Sequence, residues 1–338
     1  MSSRYLKILP FCLLSLFNLP AQAEALTERS EVKNFIQQMH SEHGFEMQEL
    51  QQWFAETRLK ESIIKAMSRP AERKAWKDYR PIFLTEARIE GGVEFWQRHA
   101  DLLTRAEQEY GVDPAVIVAI IGVETRYGQH KGSFRFIDAL STLAFDYPPR
   151  SKFFRSELEH YLLMTREEQV DPMSLLGSYA GAMGQPQFIS SSYRHYAIDF
   201  NDDGHRDIWN DTADAIGSVA NYFRRHGWKP GEPVTRQLDV SAVTDKGLLE
   251  ENELKPRHSL AKLKAQGFGN IEATLDEQQL AAVINLEGDE GHEHWLGLDN
   301  FYTITRYNHS ALYAMAVYQL ANEIRSRHTE AQLAEGHG

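Results

Sequence analysis

A single cysteine, Cys12, occurs in the 338 residues, so no disulfide can brace the fold within one chain. Positive charge is also scarce. Thirty-six Lys and Arg stand against 48 Asp and Glu, a formal net charge of −12. With neither a basic excess nor a basic run, the chain is not built to neutralise phosphates, and no nucleic-acid partner is expected. Long apolar runs are missing as well. The stretch from Ile8 to Leu19 is too short, and is broken by Pro10, to span a bilayer comfortably. There is no internal repeat. What remains is 42% hydrophobic and 25% charged, an ordinary globular composition, and the length suits two or three packed subdomains.

The N-terminus reads as an export signal. Arg4 and Lys7 precede the apolar stretch, and Ala21-Gln22-Ala23 follows it as a small-x-small cleavage site. A lipid anchor would need a cysteine at the end of that stretch. Cys12 follows Leu9-Pro10-Phe11 and comes too early. The expectation is a soluble periplasmic or secreted protein whose signal peptide is residues 1–23. Cleavage removes Arg4 and Lys7, taking the charge from −12 to −14. The competing reading is an N-terminal helix that is retained.

The chain is organised around Val112 to Gly128, VDPAVIVAIIGVETRYG. Asp113 suits a helix N-cap and Pro114 the first helical position. Ala115 to Val123 is apolar on every side, which predicts a buried helix. Gly128 offers a left-handed stop after Tyr127. One carboxylate, Glu124, lies at the end of the buried run. Burial and the negative end of the helix both disfavour its ionised form, as a general acid requires. The alternative is a structural ion pair with Arg126 or a distant arginine, and these residues alone do not separate the two.

Residues 26–110 read as helical. The stripes Phe35/Ile36/Met39, Met47/Leu50/Trp53/Phe54 and Ile63/Ile64/Met67 precede a longer helix from Val93 to Tyr110. All are expected to be core. Lys77 to Ile82 is expected to be extended, because the residue before Pro81 avoids the helical region. Tyr79 there is either packed or facing a groove, and the sequence favours packed. Residues 111–228 are again helical. They include Leu176 to Phe188, whose three glycines allow either tight packing or a ligand lying on the backbone.

Asp199-Phe200-Asn201-Asp202-Asp203-Gly204-His205-Arg206-Asp207 has the front half of an EF-hand loop. Asp199, Asn201 and Asp203 bring side-chain oxygens together, Gly204 permits the turn, and His205 offers its carbonyl. Position twelve is Asn210 rather than glutamate. Asp211 or Asp214 must therefore close the shell, with Asp214 preferred. The competing reading is an Asp/Asn-rich surface turn. Na⁺ or Ca²⁺ could occupy the loop, the carboxylates favour Ca²⁺, and its role would be structural. From residue 229 the composition turns to short β-type runs, Val234–Val240, Ala282–Leu286, His294–Leu298 and Phe301–Tyr307. A β-rich subdomain over 229–295 is expected. Helix returns for Asn308 to Arg325, followed by a polar, disordered tail over 326–338.

The segments IIGVETRYG (120–128), SYAGAMGQPQF (178–188), DFNDDGHRDIW (199–209) and FYTITRYNHS (301–310) occur here in an order that resembles the lytic murein transglycosylase B family, glycoside hydrolase family 103. The resemblance spans about residues 30–325 and points to the soluble form. It implies a mainly α (α+β) fold. A lysozyme-like core (111–228 with 296–308) would be flanked by a helical domain (26–110 completed by 309–325) and the small β subdomain. It implies that Glu124 is the single acid/base. It further implies a groove lined by Tyr79, Ser178, Met183, Gln187, Tyr222, Tyr302 and Tyr307, and a metal loop of Asp199, Asn201, Asp203, His205 and Asp214. Gln185-Pro186 departs from the family pattern beside Gln187. The implied activity cuts peptidoglycan between N-acetylmuramic acid and N-acetylglucosamine with 1,6-anhydro closure. The implied protein is a monomer acting on glycan strands, alone or beside other cell-wall enzymes, with no organic cofactor. The rival readings are a muramidase hydrolysing the same bond, which needs a second carboxylate, and a non-catalytic calcium-stabilised peptidoglycan-binding protein.

Overall fold

The computed structural model describes residues 25–68, 74–251 and 253–335. The signal-peptide reading of residues 1–23, and Cys12 with it, lies outside the described residues. The fold is mainly helical with small antiparallel sheets, and it divides into two compact units, 25–56 and 57–335. Among the described residues no helix is long and apolar enough to cross a membrane.

The first unit holds α1 (Ser30–His43) and α2 (Met47–Glu56). Gly44 ends α1 in the left-handed conformation at φ 67°. Phe35 of α1 meets Phe54 of α2 edge-on, with ring centroids 5.8 Å apart.

The second unit opens with α3 (Glu61–Met67), α4 (Trp76–Phe83), α5 (Glu86–Arg98) and α6 (Ala100–Tyr110). Next comes α7 (Pro114–Thr125), capped by the Asp113 carboxylate on the Ala115 amide at 2.9 Å. Every residue of α7 from Pro114 to Val123 is buried. It can be apolar all round because α5, α6, α11 (Thr212–Arg225) and α15 (Ala311–Glu335) pack around it. Between α7 and α11 run β1 (Phe134–Arg135), α8 (Phe136–Asp146), α9 (Ser151–Glu167), β2 (Leu176–Gly177) and α10 (Ser190–Tyr196). Two-residue strands β1 and β2 pair antiparallel.

After α11 the chain forms a four-stranded antiparallel sheet. It is built from β3 (Thr235–Gln237), β4 (His258–Ser259), β5 (Leu280–Gly288) and β6 (Gly291–Gly297), in the order β3-β6-β5-β4. Helices α12 (Gly247–Glu250) and α13 (Leu260–Ala265) cover it. Leu238, Leu260, Leu263, Phe268, Val283 and Leu296 make its separate core. Finally α14 (Asp299–Tyr307) leads into α15.

Four expectations about local structure are corrected. Lys77 to Ile82 is helical, not extended. Pro81 is the sixth residue of the eight-residue α4, so its ring removes one hydrogen bond, while Trp76 and Tyr79 gain burial. Phe301 to Tyr307 is helical, not a strand. Phe301, Ile304 and Thr305 are fully buried at helical spacing, and the Thr303 and Thr305 hydroxyls donate to the Asp299 and Tyr302 carbonyls at 3.0 and 2.6 Å. From Ser326 to Glu335 the segment is the end of α15, not a disordered tail. Arg327 pairs with Glu86 at 2.7 Å, and the His328 ring stacks on Trp96 at 4.4 Å. The Val93–Tyr110 helix is two helices, which meet at His99.

Candidate active site

Glu124 lies in the last turn of α7. The stop beyond it is not made by Gly128 alone. Arg126 and Tyr127 also take positive φ, 49° and 61°, ahead of Gly128 at 83°. Left-handed backbone is costly for such residues and persists where surroundings hold it. Tyr127 is that hold. Its hydroxyl donates to the Arg88 carbonyl at 2.6 Å, and its ring lies against Gly91 and Gly122. A Cβ on Gly122 would come within 2.6 Å of the Tyr127 oxygen, so glycine there makes the close approach possible. Thr125 adds a second tie, donating to the Gln185 carbonyl at 2.9 Å.

The ion-pair reading of Glu124 does not hold among the described residues. Its hydrogen bond comes from a tyrosine: the Tyr313 hydroxyl on α15 donates to Glu124 Oε1 at 2.6 Å. Burial pushes the Glu124 carboxyl up to about 7, and the Tyr313 bond opposes that rise. Among the described residues no neighbouring charge contributes to that shift. Tyr313 itself is pushed well above the usual phenol range by burial and by Glu124, so it remains a donor.

The aromatic wall behind the acid is continuous. Tyr307 stacks on Tyr313 (6.4 Å between centroids, 9° between planes) and donates to the Pro186 carbonyl at 2.5 Å. Tyr222 lies 4.8 Å from Tyr307 and donates to the Arg306 carbonyl at 2.5 Å. Tyr79 packs between Trp76 and Phe83. Tyr79 and Tyr222 are buried, and Tyr302 and Tyr307 are half-buried.

Ser178 and Gln187 belong to the small-residue loop. Ser178 Oγ accepts from the Ala182 amide at 3.1 Å, which leaves its own proton available. Gln187, at φ 51°, donates through Nε2 to the Gly184 carbonyl at 2.9 Å. That fixes its amide while leaving Oε1 to accept. Met183, expected on the groove wall, is fully buried. Its backbone pairs with Phe188 while its side chain fills the core, so it supports the wall from behind. The loop glycines serve packing: a Cβ on Gly177 would meet Phe136, and one on Gly184 would meet Ile208.

Tyr313 is the residue that sequence reasoning missed. The signal was present. A tyrosine inside a buried run, 0–3% exposed from Tyr313 to Val317, must find a partner for its hydroxyl.

At the Asp199 loop, Asp199, Asn201 and Asp203 come together. Asp199 accepts from the Asp203 and Gly204 amides at 3.1 and 2.7 Å, and Asp203 from the His205 amide at 2.9 Å. The Asn201 amide nitrogen lies between Asp203 Oδ2 (3.1 Å) and Asp211 Oδ2 (2.7 Å). A positively polarised group thus occupies the place a cation would take, so the donor set fits a hard, oxygen-liganded ion. The mixture matters: among the described residues no three carboxylates or imidazoles alone could hold a metal. Asp214, preferred from sequence to close the shell, is fully buried, and its two oxygens accept from the Phe200 and Asp207 amides, each at 2.7 Å. It braces the loop from beneath. Asp211, which also caps α11, faces the other donors.

The helical fold around α7 is that of a solved muramidase/transglycosylase 44% identical to this chain, which places it in a class of glycan-cleaving enzymes. Residues 27–322 match the family described as Transglycosylase SLT domain, and the chain belongs to that family as a lytic transglycosylase of the murein transglycosylase B type. It is 45% identical over 302 residues to the membrane-bound lytic murein transglycosylase B of Escherichia coli, covering 86% of this chain and 82% of that one. The crystal structure of catenated lytic transglycosylase SltB1 from Pseudomonas aeruginosa is 52% identical with a TM-score of 0.84, covering 89% of this chain and 98% of that one. Lytic transglycosylase Slt35 of E. coli, solved in complex with calcium, is 44% identical with a TM-score of 0.82, covering 89% and 95%.

Proposed function

We propose that Glu124 alone serves as acid and then base in cutting the muramic acid–glucosamine bond of peptidoglycan, leaving a 1,6-anhydromuramyl end. The observation that carries this reading is the half-buried Glu124 carboxyl at the end of the buried helix α7, raised to about 7 by desolvation, with Tyr313 as its hydrogen-bond partner and, among the described residues, no charged group among the causes of its shift. A two-carboxylate hydrolase needs a nucleophile or water base facing the acid.

Protonated Glu124 gives its proton to the glycosidic oxygen as the bond to C1 breaks. The acetamido oxygen of the same sugar shields the cationic C1. Glu124, now a carboxylate, takes the proton of the C6 hydroxyl as that oxygen bonds to C1. No water is consumed, and Glu124 ends protonated. Ser178 and Gln187 orient the acetamido and hydroxyl groups. Tyr302 and Tyr307, the half-buried tyrosines, offer faces to the sugars, with Tyr79, Met183 and Tyr222 packed behind them. Exclusion of water favours closure over hydrolysis. The test is the mass of the products from purified sacculi. Ends lighter than hydrolytic ends by one water, about 18 Da, are expected for closure without water. Full-mass reducing ends would overturn the reading.

Tyr313 acts through Glu124 and is a positioning residue. Its hydrogen bond favours the carboxylate, so Tyr313→Phe lets the Glu124 pKa rise above about 7. The alkaline limb of the pH–rate profile should move upward by about one unit, since a bond to a charged group is worth that much. A limb that stays in place would remove Tyr313 from this role.

We also read the Asp199 loop as a structural Ca²⁺ site, with Asp199, Asn201, Asp203, the His205 carbonyl and Asp211 as ligands. The calcium complex of Slt35 supports the choice of ion. The export pattern of residues 1–23 supports a soluble periplasmic enzyme working on glycan strands, although the E. coli relative is named membrane-bound.

A further inference from the structure

The Asp199 loop and the small-residue loop are tied together at two points, one just ahead of Ser178 and one just ahead of Gln187. Trp209 donates through Nε1 to the Leu176 carbonyl at 3.1 Å. The Gln185 amide donates to the Ile208 carbonyl at 2.8 Å. Lys131 closes the ring. Its ammonium donates to the Trp209 carbonyl at 2.7 Å, and its own carbonyl accepts from Gln187 Nε2 at 3.3 Å. Gln185 also touches the acid-bearing helix, since its carbonyl accepts from the hydroxyl of Thr125, the neighbour of Glu124, at 2.9 Å.

Ile208 and Trp209 are not among the proposed cation ligands, but they lie on the short segment between two of them. His205 and Asp211 bracket residues 206–210. The Tyr193 hydroxyl holds that segment at the Arg206 carbonyl, and the Asp211 amide donates to the Asp207 carbonyl at 3.0 Å. Asp203 and His205 are exposed, whereas Ile208 and Trp209 are buried against the small-residue loop. An ion that draws the His205 carbonyl and the Asp211 carboxylate together therefore fixes the segment that braces Ser178 and Gln187. Without the ion, the Asp203 and Asp211 carboxylates, both bonded to the Asn201 amide, repel each other. Gln185 strengthens the link in this chain. It departs from the family pattern, and its side chain donates to the hydroxyl of Thr212, the residue after Asp211, at 3.3 Å.

We propose that Ile208 and Trp209 are positioning residues through which the ion in the Asp199 loop sets the affinity of the groove for glycan. The coupling is reciprocal, so bound glycan tightens the ion by the same factor. The inference rests on the readings, given above, of the loop as a Ca²⁺ site and of Ser178 and Gln187 as substrate contacts. It makes calcium an effector of substrate binding and not a brace alone.

The test titrates calcium by calorimetry into Glu124→Gln protein, with and without a saturating muramic acid–glucosamine tetrasaccharide. The calcium Kd should fall about tenfold when the tetrasaccharide is present, an ordinary size for coupling between two sites. The tetrasaccharide Kd should fall by the same factor when calcium is present. Trp209→Phe, added to Glu124→Gln, keeps a ring in place and removes the bond to Leu176. It should leave the calcium Kd of glycan-free protein unchanged while the coupling drops to about threefold or less. A Trp209 with a merely structural role would alter melting and leave the coupling in place. Lys131→Met, at a half-buried loop position, removes the bond to the Trp209 carbonyl and should lower the coupling as well, which keeps the test decisive if the Trp209 variant fails to fold. Calcium affinity indifferent to the tetrasaccharide, coupling undiminished in the variants, or calcium-loaded protein that takes no tetrasaccharide overturns the proposal. Protein that binds no calcium in either condition removes the Ca²⁺ reading of the loop, and the coupling with it.

Discussion

Glu124→Gln is expected to lower turnover of sacculi by at least about 10³-fold while making the protein more stable above pH 7. The first half follows from losing one group that acts twice, since a single acid or base contributes roughly 10²- to 10⁴-fold. The second follows from linkage. The folded-state pKa of Glu124 is raised from 4.5 to about 7. Between those values the native state binds more protons than the unfolded chain, so stability falls as pH rises through the window and stays low above it. At full effect the loss is about 3 kcal/mol. Glutamine is never charged and still accepts the Tyr313 hydrogen bond. The variant should therefore show a higher Tm than wild type at pH 8 and no gain at pH 4.5. Equal melting curves at pH 8 would mean that Glu124 is not held in the environment described. Activity within tenfold of wild type, in a pure preparation, would mean that it is not the acid.

The Asp199 loop separates two kinds of carboxylate by what each loses. Asp214→Ala leaves the buried Phe200 and Asp207 amides without acceptors and should cost about 3–5 kcal/mol, with or without calcium. Asp211→Asn should instead leave the fold close to wild type in chelator but abolish the rise in Tm that calcium produces. That rise is worth about 2.7 kcal/mol at a hundredfold excess of free ion over Kd. Melting curves of the two variants in EDTA and in calcium provide the check. If Asp211→Asn keeps the full calcium response and Asp214→Ala loses only that response, the two assignments must be exchanged.

The element that organises the chain was the one most legible in its sequence. Asp113, Pro114 and nine consecutive apolar residues leave little choice but a buried helix, and they put Glu124 at its end. The loop after Asp199 was legible for a similar reason, because its geometry is local. What escaped depends on partners distant in sequence. Tyr313 meets Glu124 across 189 residues, and nothing in the spacing of either segment announces the other. Asp211 and Asp214 are equally good oxygen donors on paper. Only the packing of α11 decides which one is buried under backbone amides. Phe301 to Tyr307 shows the opposite failure. Its β-type residues read as a strand, but burial on one helical face and two hydroxyls bonded back to carbonyls override that preference.

The position of α15 sets the order in which this enzyme can come into being. The acid-bearing helix α7 is complete by residue 125, yet α15, which packs along it and supplies Tyr313, begins only at Ala311. A growing chain would therefore carry its most apolar segment for almost two hundred residues before the covering helix exists. Until then the carboxylate has no phenol beside it. On the role proposed for Glu124, the acid gains its hydrogen-bond partner only with the last helix made.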